Sequence, residues 1–342
     1  MLPGLNTRSC SRSTRTASRI AGTGHYAPAR VLTNHDLARM VDTSDAWIME
    51  RTGISERHLA AEGETTSDMA AKAAEAALAA AGIAASELDL IIVSTVTPDA
   101  PLPSTAVSVQ QKIGARSDCP AFDLAAACAG FIYGLSIADR FLAGGTMRHV
   151  LVIGVELLSR VIDWRDRTTC VLFGDGAGAV VLSPSEDGER GVLSTHLYAD
   201  GSQATSLQIP AGGSAQPASV ATVEAGLHYV HMSGQDVFKY AVRALSAASV
   251  TALEANGVIR EQVRWVVPHQ ANMRILEAVS KRVGIGMERF VLNIARYGNT
   301  SSASIPIALD EAVREGKVQA GDLLLMCALG AGFAWGSALV RF

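Results

Sequence analysis

The chain has 342 residues, 49% of them apolar, with 31 glycines and a formal charge of −4. That length is ample for a buried core in one large or two medium domains, and the near-balanced charge excludes a global field built for nucleic acid. No run of about 18 apolar residues occurs, which excludes a membrane-spanning helix, and the five cysteines (10, 119, 128, 170 and 327) form no C-x-x-C pair and no metal-ligand spacing with histidine.

Residues 1–18 carry Arg8, Arg12 and Arg15 among serines and threonines, with no acid and no apolar stretch. They read as a disordered leader and not as a secretory signal, although a transit peptide shares the composition. A helix is predicted over about 65–81, stopped by Gly82, then a short turn and a buried strand through Ile91-Ile-Val93. The second half repeats this order, with a helix over 234–256, Gly257 and a strand through Val266 and Val267. Cys128 opens a helix-like stretch that closes at Gly144-Gly145, and Asn299 opens one that closes at Gly316. Gly176-Ala-Gly178 and Gly330-Ala-Gly332 each suggest a tight turn of small residues with a strand after it. Helices alternating with buried strands imply an α/β fold, and the self-similarity implies two duplicated halves, 19–184 and 191–342. The boundary falls in the cluster Pro184, Glu186, Asp187, Gly188 and Glu189, and residues 200–224, rich in Gly, Ser, Ala and Pro, read as an excursion from the core.

Three segments bear chemistry. Cys128 lies in Asp123-Leu-Ala-Ala-Ala-Cys128-Ala-Gly-Phe131, where an apolar run turns into a helix. A helix N-terminus stabilises a thiolate, and the thiolate is the nucleophile. His269 lies in Val266-Val-Pro-His269-Gln-Ala-Asn272 and Asn299 in Tyr297-Gly-Asn299-Thr-Ser-Ser302. Together they supply a nucleophile, an imidazole and a carboxamide, the parts of an acyl-transfer site. Taken singly, each has a plainer reading: a small buried thiol, a polar strand cap and a turn asparagine. Spacing alone does not separate a condensing site from a cysteine protease or glutaminase, in which histidine deprotonates the thiol. Gly174, Gly176 and Gly178 lack the Lys-Ser/Thr of a phosphate loop and read as a place of close chain approach.

The chain resembles the β-ketoacyl-acyl-carrier-protein synthase III family of the thiolase-like superfamily. The likeness runs from about Arg19 to Phe342 and rests on Val41-Asp-Thr-Ser-Asp-Ala-Trp47, Phe173-Gly-Asp-Gly-Ala-Gly178, Pro268-His-Gln-Ala-Asn272, Gly298-Asn-Thr300 and Trp335-Gly-Ser-Ala-Leu-Val-Arg-Phe342. It implies a five-layered thiolase-like fold, a cytoplasmic homodimer and decarboxylative Claisen condensation of an acyl-CoA primer with malonyl-acyl carrier protein through acyl-Cys128. No cofactor or metal is implied, since acyl-CoA and malonyl-acyl carrier protein are substrates. A relative that passes the acyl group to another nucleophile, without decarboxylation, is the alternative activity; a non-catalytic partner subunit typically lacks the nucleophile that Cys128 supplies.

Roles follow residue by residue. The resemblance implies an oxyanion hole from the backbone N–H groups of Cys128 and Ala331, the latter replacing the family's glycine. His269 and Asn299 are implied to donate to the thioester oxygen of malonyl-acyl carrier protein, stabilising the enolate left when carbon dioxide departs. Thr43, Trp47, Arg51, Arg167, Gly234, Phe238, Ala271, Asn272 and Ile275 are implied to hold CoA, with Gln235 where the family has asparagine. Lys239, Arg274, Lys281 and Arg282 are expected to meet the acidic carrier protein. Leu102 is expected to floor the acyl pocket of a partner subunit, leaving it roomier than an aromatic would.

Overall fold

The computed structural model describes residues 18–186 and 188–342. In its first half, strands β1 (Ser18–Tyr26) and β2 (Arg30–Thr33) lead to helices α1 (Asn34–Leu37) and α2 (Asp45–Thr52). Strand β3 (Glu56–Leu59), helix α3 (Thr66–Ala81), β4 (Leu90–Ser94), α4 (Thr105–Lys112) and β5 (Ala121–Leu124) follow. Helix α5 (Gly130–Ala143), β6 (Val150–Glu156) and β7 (Gly176–Pro184) complete this half. The second half runs through β8 (Gly191–Ala199), β9 (Leu207–Gln208), α6 (Val220–Glu224), β10 (His231–Met232), α7 (Gly234–Ala255) and β11 (Trp265–Pro268). It ends with α8 (Met273–Val283), α9 (Ile294–Tyr297), α10 (Ser304–Arg314), β12 (Leu323–Gly330) and β13 (Ala334–Arg341).

Two sheets carry the core. The first has the order β1-β7-β6-β4-β5 and the second β11-β12-β13-β8, each mixing parallel and antiparallel pairs. Successive side chains on a strand point to opposite faces, so one apolar strand feeds two cores. Leu90 and Ile92 of β4, with Val150 and Val152 of β6, face inward onto α5 and α10. Leu324, Met326 and Ala328 of β12 reach the same two helices from the other side. The alternate residues Ile91, Val93, Leu151 and Ile153 pack against α3 and α4. Leu323, Leu325 and Leu329 pack against α7 and α8. The result is five layers of helix, sheet, helix, sheet and helix, a thiolase-like α/β fold in which α5 and α10 occupy the middle.

Helix ends follow local chemistry. Thr65 caps α3 through a reciprocal pair with Asp68, and Gly82 ends it at φ 66. Asn272 caps α8 by accepting the Arg274 N–H, and Gly284 ends it at φ 78. Two expectations are corrected here. Residues 1–17 of the leader lie outside the described residues, but Ser18 opens β1 and is fully buried, pairing in register with Pro184. Gly176 and Gly178 do not form a turn: both lie within β7. A Cβ at Gly178 would stand 2.7 Å from the backbone nitrogen of Ile307, so the glycine lets α10 lie directly on the sheet.

Candidate active site

The short 3-10 turns that lead into α5 and α10 meet at the centre of the molecule. Cys128 occupies the turn Ala127–Ala129, and Asn299 precedes the turn Ser301–Ala303. Ala127 and Ser301 are the two non-glycine residues with positive φ among the described residues, at 45° and 50°. Backbone in this region is strained for residues with a Cβ, and such strain concentrates at functional elbows. His269 arrives from the end of β11, its N–H bonded to the carbonyl of Cys327 on β12 at 2.8 Å.

Cys128, His269 and Asn299 line one cavity of about 610 Å³. All three are buried, at 7%, 2% and 7% exposure. The Asn299 amide is oriented by its neighbours: its Oδ1 accepts the Ser301 N–H at 2.9 Å, which leaves its NH₂ as the free donor. Nδ1 of His269 bonds the Ser304 hydroxyl at 2.7 Å. Burial holds this imidazole down to about 3, so it is neutral at physiological pH.

The thiol departs from expectation. Burial pushes Cys128 up to about 12, a hydrogen bond from Ser301 opposes the shift, and the charge of Glu156 adds to it. The helix N-terminus expected to favour a thiolate is outweighed by loss of water around the sulfur. Gly330 lies against this elbow: a Cβ there would stand 2.4 Å from the Cys128 nitrogen. The backbone at 330–331 therefore runs alongside the Cys128 amide.

From the nucleophile the cavity runs to the surface past Phe173, Leu207, Val237, Ala241, Leu245 and Leu329. Its lining includes Trp47, Arg51, Gly234, Gln235, Phe238, Lys239, Ala271, Asn272, Arg274 and Ile275. Trp47 has the guanidinium carbon of Arg51 at 4.7 Å from its ring centroid and that of Arg167 at 5.3 Å. Asn272 donates to the Arg51 carbonyl at 3.0 Å, tying α8 to α2.

Other sequence candidates lie elsewhere. Thr43 is not part of the lining, and its buried hydroxyl has no partner. Lys281 and Arg282 sit in the last turn of α8, away from the lining that Arg274 joins at the first turn. Leu102 is 85% exposed and outside the cavity of its own chain. Sequence reading missed Glu156, a fully buried carboxylate at the end of β6, and the part of Ser301 beside the thiol. The available signal was an acid closing the otherwise apolar run Val150-Leu-Val-Ile-Gly-Val155.

Comparison with known proteins agrees with this architecture. The family 3-oxoacyl-[acyl-carrier-protein (ACP)] synthase III matches residues 122–201, and its C-terminal counterpart matches 253–342. The β-ketoacyl-[acyl-carrier-protein] synthase III of Xanthomonas campestris pv. campestris is 54% identical over 330 residues, spanning 96% of this chain and all of the relative. That of Thiobacillus denitrificans is 51% identical over the same lengths. The crystal structure of 3-oxoacyl-[acyl-carrier-protein] synthase III from Aquifex aeolicus VF5 superposes with TM-score 0.88 at 49% identity, covering 95% of this chain and 100% of that one. The priming β-ketosynthase of the R1128 polyketide pathway gives 0.87 at 36% identity, covering 99% and 98%. With its five layers, its central cavity and relatives matched end to end, the chain belongs to the β-ketoacyl-acyl-carrier-protein synthase III family of acyl-transferring condensing enzymes.

Proposed function

We propose that this enzyme joins an acyl-CoA primer to malonyl-acyl carrier protein in two half-reactions on one cysteine. The observation that carries the reading is the convergence of Cys128, His269 and Asn299 on a single buried cavity that opens beside Trp47 and Arg51. In the first half-reaction the Cys128 sulfur attacks the thioester carbon. The backbone N–H groups of Cys128 and Ala331 hold the oxyanion, donors of a kind worth about 3–4 kcal/mol each in a transition state. Ala331 keeps the N–H that the family's glycine supplies. CoA then leaves and acyl-Cys128 remains.

In the second half-reaction malonyl-acyl carrier protein enters the same tunnel. A neutral His269 and the Asn299 NH₂ donate to its thioester oxygen, and this holds the enolate as carbon dioxide departs. The enolate carbon attacks acyl-Cys128 and the β-ketoacyl product leaves on the carrier. CoA binds with its adenine beside Trp47, while Arg51, Arg167, Gly234, Phe238, Ala271, Asn272 and Ile275 serve its phosphates and pantetheine arm. Lys239, Arg274, Lys281 and Arg282 steer the carrier protein. Leu102 projects from the chain and closes the acyl pocket of a second copy in a homodimer, favouring primers somewhat larger than acetyl.

Intact mass after incubation with acetyl-CoA tests the first step. A 42-dalton adduct on Cys128 is expected, about the mass of an acetyl group replacing hydrogen, and an unmodified, folded protein overturns the reading. His269→Ala and Asn299→Ala should still acquire the adduct yet release no carbon dioxide from malonyl-acyl carrier protein.

A further inference from the structure

The first half-reaction must dispose of the thiol proton, and among the described residues the cavity holds no base in contact with the sulfur that is suited to take it. His269 is neutral, but burial leaves it a very weak base, and its Nδ1 is occupied by Ser304. Ser301, by contrast, lies on the turn that packs directly against the Cys128 turn, and its side chain favours the thiolate there. Its hydroxyl also donates to Oε1 of Glu156 at 3.2 Å. Cys128, Ser301 and Glu156 thus lie together wholly inside the protein, with the hydroxyl bonded to the carboxylate.

Glu156 is a fully buried carboxylate. Its Oε2 accepts the hydroxyls of Thr97 at 2.8 Å and Thr95 at 3.3 Å and the Val96 N–H at 3.1 Å. Its Oε1 accepts from Ser301 and, at 3.3 Å, from Ser302. Among the described residues the titratable group facing it is the Cys128 thiol. The other groups against it are neutral: the loop after β4 supplies Thr95, Val96 and Thr97, and the turn before α10 supplies Ser301 and Ser302. A buried carboxylate without a cation is expensive to keep for structure alone. Ser302 already has a carbonyl acceptor in Ser94 at 2.9 Å, so its proton is shared and the Oε1 position depends chiefly on Ser301.

Building on the acyl-Cys128 reading, we propose that Ser301 and Glu156 form the proton-accepting chain of the acyl-transfer half-reaction. As the Cys128 sulfur bonds the thioester carbon, its S–H bond breaks and the proton passes to the Ser301 oxygen. The Ser301 proton passes in the same event to Oε1 of Glu156. When the tetrahedral intermediate collapses, the C–S bond to CoA breaks. The chain then returns one proton to the departing thiolate, so CoA leaves as the thiol and Glu156 ends ionised. Burial raises Glu156 to about 7, which matches a proton acceptor working near neutrality. The proposal gives Ser301 contact with the reacting sulfur, while Glu156 acts through it.

The test is single-turnover acylation with acetyl-CoA, followed by rapid-quench intact mass between pH 5.5 and 9. The wild type should acylate along a profile that rises through about pH 7. Glu156→Gln should lose that inflection and acylate about 10²- to 10⁴-fold more slowly, the usual span for removal of a general base. Enzyme of the same variant that has been fully acylated by long incubation should condense with malonyl-acyl carrier protein within tenfold of wild type. Glu156→Asp should restore part of the rate together with the inflection. Ser301→Ala, which leaves the carboxylate in place, should show the same selective defect and decides the matter if Glu156→Gln does not fold. Wild-type rate and profile in either folded variant would overturn the proposal, as would equal losses in both half-reactions. Failure of the wild type to form the adduct would instead overturn the acyl-Cys128 reading.

Discussion

Gly330→Ala probes the oxyanion geometry with one methyl group. Gly330 has φ −133 and ψ −176, extended backbone that alanine adopts without strain, so only the new Cβ matters. That Cβ would lie 2.4 Å from the Cys128 nitrogen, 2.9 Å from the Ala127 Cβ and 3.2 Å from the Ala127 carbonyl carbon. Ordinary contact is about 3.4–4 Å, so the 330–331 strand end and the Cys128 elbow must part by about 1 Å. Overpacking of this kind destabilises by about 1–3 kcal/mol. At about 2.1 cal/mol/K of unfolding entropy per residue, a chain of this length loses only about 1–4 °C of Tm. The two N–H groups proposed to hold the oxyanion separate by the same 1 Å, however, and a misplacement of that size lowers rate by about 10²-fold. The expected result is a folded protein whose acylation by acetyl-CoA, followed by rapid-quench mass, is at least about 100-fold slower. Acylation within threefold of wild type, with Tm shifted as stated, would refute the placement of the hole between Cys128 and Ala331.

Other perturbations read other parts of the molecule. Trp47→Ala removes the ring that Arg51 and Arg167 approach, and should raise KM for acyl-CoA about tenfold in steady-state assays while changing kcat little. Arg57 is fully buried and donates to the Leu32 and Val171 carbonyls and to Asn34 Oδ1. Arg57→Ala strands these acceptors and should lower stability by about 3–5 kcal/mol in chemical denaturation. Cys128→Ala should change how stability responds to alkali. The folded thiol is raised to about 12 from 9.0, so above pH 9 the unfolded chain releases a proton that the folded chain keeps, and wild type weakens as pH rises. At pH 10 this amounts to about 1 kcal/mol, absent in the alanine variant, so the two denaturation midpoints should draw apart between pH 8 and pH 10 in favour of Cys128→Ala.

The layered fold was legible because its punctuation is local. Gly82 and Gly257 stop the two outer helices wherever the chain is placed, and Cys128 and Asn299 stand equally far from their closing glycines. What could not be read was which face of a strand meets which helix. Residues 90–93 are apolar throughout, so no period of two marks Ile92 for the central layer or Ile91 for the outer one. The glycines of β7 looked like a turn for a related reason. Glycine signals permission for close approach, and only the arrival of Pro306 and Ile307 from far along the chain shows what approaches.

The same division between local and distant information governs the chemistry. A motif identifies Cys128, but the state of its sulfur depends on how much water the fold removes, and Ala127 at positive φ and the 330–331 strand end help to seal it in. Burial raises the thiol and lowers the imidazole, so the resting centre holds a neutral nucleophile beside a neutral donor. That arrangement suits the proposed second step, which uses His269 as a hydrogen-bond donor and would be harmed by a standing thiolate–imidazolium pair, with its positive charge and extra proton beside a carbanion. Neutrality then transfers the task of accepting the thiol proton away from histidine. The carboxylate within reach is Glu156, whose ligands come from residues 95–97 and 301–302, so it is visible as part of the site only after the chain has folded.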